Sequence, residues 1–123
     1  MGDYESLKVW EKAHQITLEV YRVTRSFPSS EMYGLASQLR RSAASVPSNI
    51  AEGSGRNTQR ELARFCRIAL GSANELHYQL RLAKDPGFLA DEDHRKVSRQ
   101  VTDLRKMPAK FIATLGQPVP TDN

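Results

Sequence analysis

The chain has 123 residues, 39% of them apolar and 26% charged, with 18 Lys and Arg against 14 Asp and Glu. That length suits one domain built on one core, and a net charge of +4 favours acidic partners only mildly. A lone cysteine, Cys66, excludes a disulfide framework; with no secretory h-region and no apolar run of membrane length, the expected compartment is a reducing cytoplasm with no membrane association.

The first helix is expected from Ser6 to Arg25, ending before Phe27-Pro28 because the residue preceding a proline is driven out of the helical region. Leu7, Trp10, His14, Thr17, Tyr21 and Thr24 form one stripe on it, and Val9, Ala13, Ile16, Val20 and Val23 form a second. Together the stripes cover about half of the circumference, wider than a helix lying on one core needs. One stripe is therefore expected inside the bundle and the other against another subunit, with Val9, Ile16, Val20 and Val23 as the interface. A deeply seated helix in a monomer is the alternative.

A second helix is expected over Ser30–Glu52, with Leu35, Leu39, Ala43, Val46 and Ile50 at helical spacing and Pro47 inside it. Proline removes one ladder bond and clashes with the carbonyl four residues back, so a kink or restart is expected near Ser45–Ser48, and Gly53 and Gly55 then end the helix. Asn49 and Glu52 read as tying this helix to a neighbour through bonds that replace the lost one. The third helix opens on a reciprocal capping box between Thr58 and Glu61 and runs to about Ala83, before the turn Asp85-Pro86-Gly87. Its core face carries Leu62, Phe65, Cys66, Ala69, Ala73, Leu76, Leu80 and Ala83. The fourth begins with Asp91 as cap and carries Val97, Val101, Leu104, Phe111 and Leu115, with Pro108 predicting a bend or early fraying. Residues 1–115 form the domain, and 116–123, with Pro118 and Pro120, read as a disordered tail. Four long helices with short connections predict an all-α, antiparallel up-down-up-down four-helix bundle.

Arg56, Arg60, Arg64 and Arg67 stand at i, i+4, i+8 and i+11, an arc of roughly 80° opposite the core face, with Tyr78 further along the same side. Arg40 and Arg41 lie on the preceding helix, and between Leu35 and Leu80 every Lys or Arg position is arginine. The planar guanidinium suits phosphate and stacks on bases, so these six residues are the candidate nucleic-acid surface. A solvated face salt-bridged to Glu52, Glu61 and Glu75 is the other reading. Gly53-Ser54-Gly55 suggests an anion site only weakly, because Thr58 and Glu61 use nearby donors; a plain turn is the better reading.

Catalytic readings fare worse. Glu11-x-x-His14 is half of a di-iron bundle motif and has no second copy; His14, His77 and His94 fall on three helices, and Cys66 sits on a core face where a thiol is inert. No metal or cofactor is expected.

The segments LKVWEKA, FPSSEMYGLASQLRRSAASVPSNIAEGSGR and RFCRIALGSANELHYQLRLA resemble the rRNA intervening-sequence proteins, a bacterial four-helix-bundle family related to the accessory variability determinants of diversity-generating retroelements. The resemblance covers Leu7 to about Leu115 and implies a homo-oligomer, typically a pentameric ring, with no established enzymatic activity. For the retroelement relatives it also implies a basic nucleic-acid-binding surface and a reverse-transcriptase partner. Pro108 departs from the family pattern, in which that region is uninterrupted helix. The expected function is that of a non-enzymatic oligomeric accessory protein binding RNA or single-stranded DNA without sequence preference; a protein–protein interaction scaffold is the alternative.

Overall fold

A computed structural model describes residues 3–115, so the expected tail at 116–123 lies outside the described residues. After a 3-10 turn at Tyr4–Ser6 come α1 (Lys8–Thr24), a second 3-10 turn at Ser29–Glu31, α2 (Leu35–Ser54), α3 (Gln59–Lys84) and α4 (Asp91–Leu115). The structure is all-α, with four helices and no strand among the described residues.

The Val9 stripe of α1 faces inward. Ala13, Ile16 and Val20 are fully buried and Val9 and Val23 nearly so, packed with Leu39, Ala43, Val46 and Ile50 of α2, Leu76 and Leu80 of α3, and Val97, Val101 and Leu104 of α4. Val9, Ile16, Val20 and Val23 are therefore core of the single chain and not subunit interface. Burying each of these side chains stabilises the fold by about 1.5–3 kcal/mol, so a charge placed there would unfold the chain before it dissociated an assembly. The other stripe stays half out: Trp10 and His14 are half-buried, and Tyr21 and the neighbouring Leu18 are exposed.

Of the kink or restart expected near Ser45–Ser48, the restart does not occur: α2 is continuous through Pro47. Proline at 47 deprives the Ala43 carbonyl of its helical donor. That carbonyl finds a donor on the preceding helix: the Thr17 hydroxyl of α1 lies 3.1 Å from it and 2.9 Å from the Ala13 carbonyl of its own helix. The residues expected to bridge do not. Asn49 turns back on its own helix, donating to the Ser45 carbonyl at 2.8 Å, and Glu52 pairs with Arg56 at 2.6 Å. Nor does Gly53 end α2. It lies one residue inside the helix, where a Cβ would stand 2.8 Å from the Phe65 Cβ, so a glycine lets α2 and α3 meet closely there. Ser42 donates to Gln79 at 2.6 Å and the Ser45 and Ser72 hydroxyls lie 2.8 Å apart, a polar seam along the same α2–α3 contact.

Thr58 caps α3 as expected, accepting from the Glu61 N–H at 3.1 Å, but the Glu61 carboxylate turns to Arg64, so only half of the capping box forms. At the far end Gly87 adopts φ 94°, the left-handed conformation that the Asp85-Pro86-Gly87 turn requires. Asp91 is the first helical residue of α4 and not its cap: the first rung runs from the His94 N–H to the Ala90 carbonyl, and Asp91, Glu92 and Asp93 place negative charge on the exposed N–H end. Helix continues past Pro108 to Leu115, against the expectation of early fraying. Arg22 ties α1 to α4 through Asp93 at 3.3 Å, and Lys96 reaches Glu19 at 3.5 Å.

Thr17→Val removes the donor to Ala43 and leaves a buried carbonyl unpaired, at a cost of about 1–3 kcal/mol in urea unfolding. In a Pro47→Ala background, position 47 regains an N–H for that carbonyl, and the same change costs clearly less. An equal cost in both backgrounds would break the link between Thr17 and Pro47.

Candidate nucleic-acid interface

The arginine stripe is built by two elements, not one. Arg60, Arg64 and Arg67 project from α3, whereas Arg56 precedes it in the turn after α2, outside the helical spacing. Phe65 brings Arg56 back into line. Its ring lies 5.0 Å from the Arg56 guanidinium and 4.6 Å from that of Arg64, so one buried phenyl holds two cationic groups from different segments. The sequence marked Phe65 only as core; the contact joins a turn to a helix, which periodicity does not report.

Two of the four arginines carry carboxylate partners: Arg56 with Glu52 at 2.6 Å and Arg64 with Glu61 at 3.5 Å. All four of these side chains are roughly half exposed, and such pairs contribute only about 0–1 kcal/mol. Arg60 and Arg67 are exposed and pair with no carboxylate among the described residues. Arg40 stands apart. Its Nε donates to the Thr24 hydroxyl at 2.8 Å and its guanidinium lies 4.9 Å from the Tyr21 ring, so it fastens α2 to α1 and does not join the stripe. Arg41 is exposed and lines a cleft of about 530 Å³ between α2 and α3, together with Ser42, Gln79 and Glu75. The Gly53–Gly55 turn offers no anion nest, because the Gly55 and Arg56 N–H groups donate to the Glu52 and Gly53 carbonyls.

The profile of the family described as 23S rRNA-intervening sequence protein matches residues 5–110. The chain belongs to that family. Its fold is similar to the crystal structure of a protein of unknown function from the S23 ribosomal protein family of Bacteroides thetaiotaomicron VPI-5482, with a TM-score of 0.79 and 21% identity over 85% of this chain and 95% of the other. None of the curated proteins compared with the chain matches it.

The remaining polar candidates separate in this family member. His14 stacks on Trp10 with centroids 5.0 Å apart and planes 10° from parallel, while Tyr4 meets the same indole edge-on. Among the described residues no three His, Cys, Asp or Glu side chains converge as metal ligands, and no helix is long and apolar enough to cross a membrane. Burial pushes the Cys66 thiol upward, away from the reactive thiolate. His77 lies 3.4 Å from the Thr102 hydroxyl across the α3–α4 contact. Burial first, then Arg105 and His94, holds the His77 imidazole below its ordinary range; burial, Lys84 and Arg81 do the same for His94.

Both histidines are thus favoured neutral in the folded chain. Their contribution is present above the ordinary histidine pKa and is lost as pH falls through the depressed folded values. Urea unfolding should show lower stability at pH 5 than at pH 7, and His77→Gln with His94→Gln should flatten that slope. An unchanged slope in the double variant would place the acid sensitivity elsewhere.

Proposed function

We propose that this family member is a non-enzymatic, cytoplasmic, self-associating accessory protein that binds RNA or single-stranded DNA through the phosphates, using Arg56, Arg60, Arg64 and Arg67. The observation that carries the reading is the pair Arg60 and Arg67, exposed and free of carboxylates among the described residues, beside two guanidinium groups already oriented on Phe65. Guanidinium forks fixed in place lose less freedom on meeting a phosphate, and weak surface pairs with Glu52 and Glu61 yield to a polyanion. Any reverse transcriptase or other protein partner is held through the same nucleic acid. An up-down-up-down antiparallel arrangement is supported by contacts such as Ser42 with Gln79 and Ser45 with Ser72, where chain number rises on one helix as it falls on the next.

With the Val9 stripe internal, self-association into a pentameric ring falls to the opposite stripe of α1. Leu18 and Tyr21, 50% and 44% exposed, extend the half-buried Trp10–His14 stack into one apolar band. Multiplying the arginine stripe around an assembly raises its effective affinity for a long polyanion.

Fluorescence anisotropy with a labelled single-stranded RNA tests the first claim. Arg60→Glu with Arg67→Glu should weaken binding to all sequences alike and lower the log–log salt slope by about 1.4, at about 0.7 per phosphate released. No binding by the wild type at low salt would sink the reading in favour of a protein scaffold. Leu18→Glu with Tyr21→Glu should reduce the mass in light scattering while keeping the helical circular dichroism; an unchanged assembly would clear α1 of the interface.

A further inference from the structure

The cleft of about 530 Å³ between α2 and α3 has walls of opposite charge that do not meet. Arg41 of α2 and Glu75 of α3 line it, both exposed, and neither forms an ion pair among the described residues. Elsewhere on the surface such neighbours close on one another, Arg56 on Glu52 at 2.6 Å and Arg81 on Asp85 at 3.0 Å. The floor of the cleft is polar. Gln79 is 6% and Ser42 5% exposed, and the Ser42 hydroxyl donates to the Gln79 Oε1 at 2.6 Å. That bond leaves the Gln79 Nε2 with no hydrogen-bond partner among the described residues, on a side chain that is almost wholly buried and lines the cleft. Buried donors are ordinarily paired, and an acceptor entering the cleft is the partner this one lacks.

The register of the two helices places these groups. Ser42 meets Gln79 and Ser45 meets Ser72, so Arg41 stands beside Gln79, and Glu75 stands about one turn, roughly 5 Å, further along α3 toward Ser72. The Arg41 guanidinium and the Gln79 Nε2 together suit a carboxylate, and the Glu75 carboxylate beyond them suits an ammonium group. The same two charges reject other ligands: Glu75 repels a phosphate or a dicarboxylate, and Arg41 repels a diamine. A small zwitterion satisfies both. We propose that this cleft binds a free α-amino acid, its carboxylate on Arg41 and the Gln79 Nε2 and its ammonium on Glu75. The Ser45 and Ser72 hydroxyls, 2.8 Å apart on the same floor, offer the ammonium further acceptors. The volume falls within the range of small-ligand pockets, about 300–1,000 Å³. The site uses none of the four arginines assigned to phosphate, so it goes beyond the function proposed above and does not rest on it.

Thermal unfolding of the whole chain with each protein amino acid in turn, at millimolar concentration, tests the proposal. At least one should raise the melting temperature, as binding to the folded state alone requires. Isothermal titration calorimetry then compares the best of them with two truncated forms, one lacking the ammonium and one lacking the carboxylate; for L-serine these are β-hydroxypropionate and ethanolamine. Each truncated form should bind on the order of ten-fold or more weaker than the intact amino acid. Arg41→Met and Glu75→Gln, both at exposed positions, should keep the helical circular dichroism and each weaken the amino acid on the order of ten-fold or more. In Glu75→Gln the form lacking the ammonium should bind as well as the intact amino acid, a reversal that damage to the fold cannot give. The proposal is overturned if no amino acid shifts the melting temperature, if either truncated form matches the intact one on the wild type, or if both variants keep the wild-type affinity.

Discussion

Pro47 removes an N–H from the middle of a buried helix, and the orientation of its neighbour follows from that. The Ala43 carbonyl faces a low-polarity interior where an unpaired acceptor costs about 1–3 kcal/mol. It can be satisfied only from another helix, and Thr17 of α1 does so at 3.1 Å. Fixing one hydroxyl against one carbonyl fixes the rotation of α1 about its axis. In that rotation Ile16 and Val20 point into the core, while Leu18 and Tyr21 point out. Thr24, one heptad beyond Thr17, adds a second bond between the same two helices in the opposite sense, accepting from Arg40. Burial of the apolar Val9 stripe drives the same division of α1 into core side and outer side, and the Thr17–Ala43 bond sets its register against α2.

The opposite side of α2 is set by small residues. Ser42, Ser45 and Gly53 let α3 approach closely, and at Gly53 the approach is so tight that the Phe65 Cβ occupies the space a side chain would need. Phe65 is thereby pinned beneath the α2–α3 turn, where Arg56 closes over it from the loop and Arg64 from the helix. The geometry of the arginine group rests on Gly53 as a packing residue, and not on the weak anion turn that Gly53-Ser54-Gly55 suggested in the sequence.

How much of this was readable in the chain depended on whether a contact repeats. Helix number and type, the Thr58 cap and the Gly87 turn follow from local chemistry, which recurs wherever those residues occur. Two stripes on α1 were legible, but which of them faced inward was not, because valine and tryptophan both read as apolar and the deciding bond is made by a threonine. Likewise the arginines were visible as a periodic set, while the departure of Arg40 to Thr24 and Tyr21, and the pairing of Glu52 with Arg56, are single contacts between segments far apart or joined by a turn. Pro47 signalled that something must replace a lost bond; it gave no indication of which helix would supply it.

The outer face of α3 then carries two chemistries in series, arginine toward its start and apolar side chains around and beyond Gly71. Arg67, the last of the arginines, is fifteen residues from Leu82, about 22 Å along the helix. At physiological ionic strength the screening length is about 8 Å, so the charge at one end of this face is not felt at the other, and each end answers to its own chemistry.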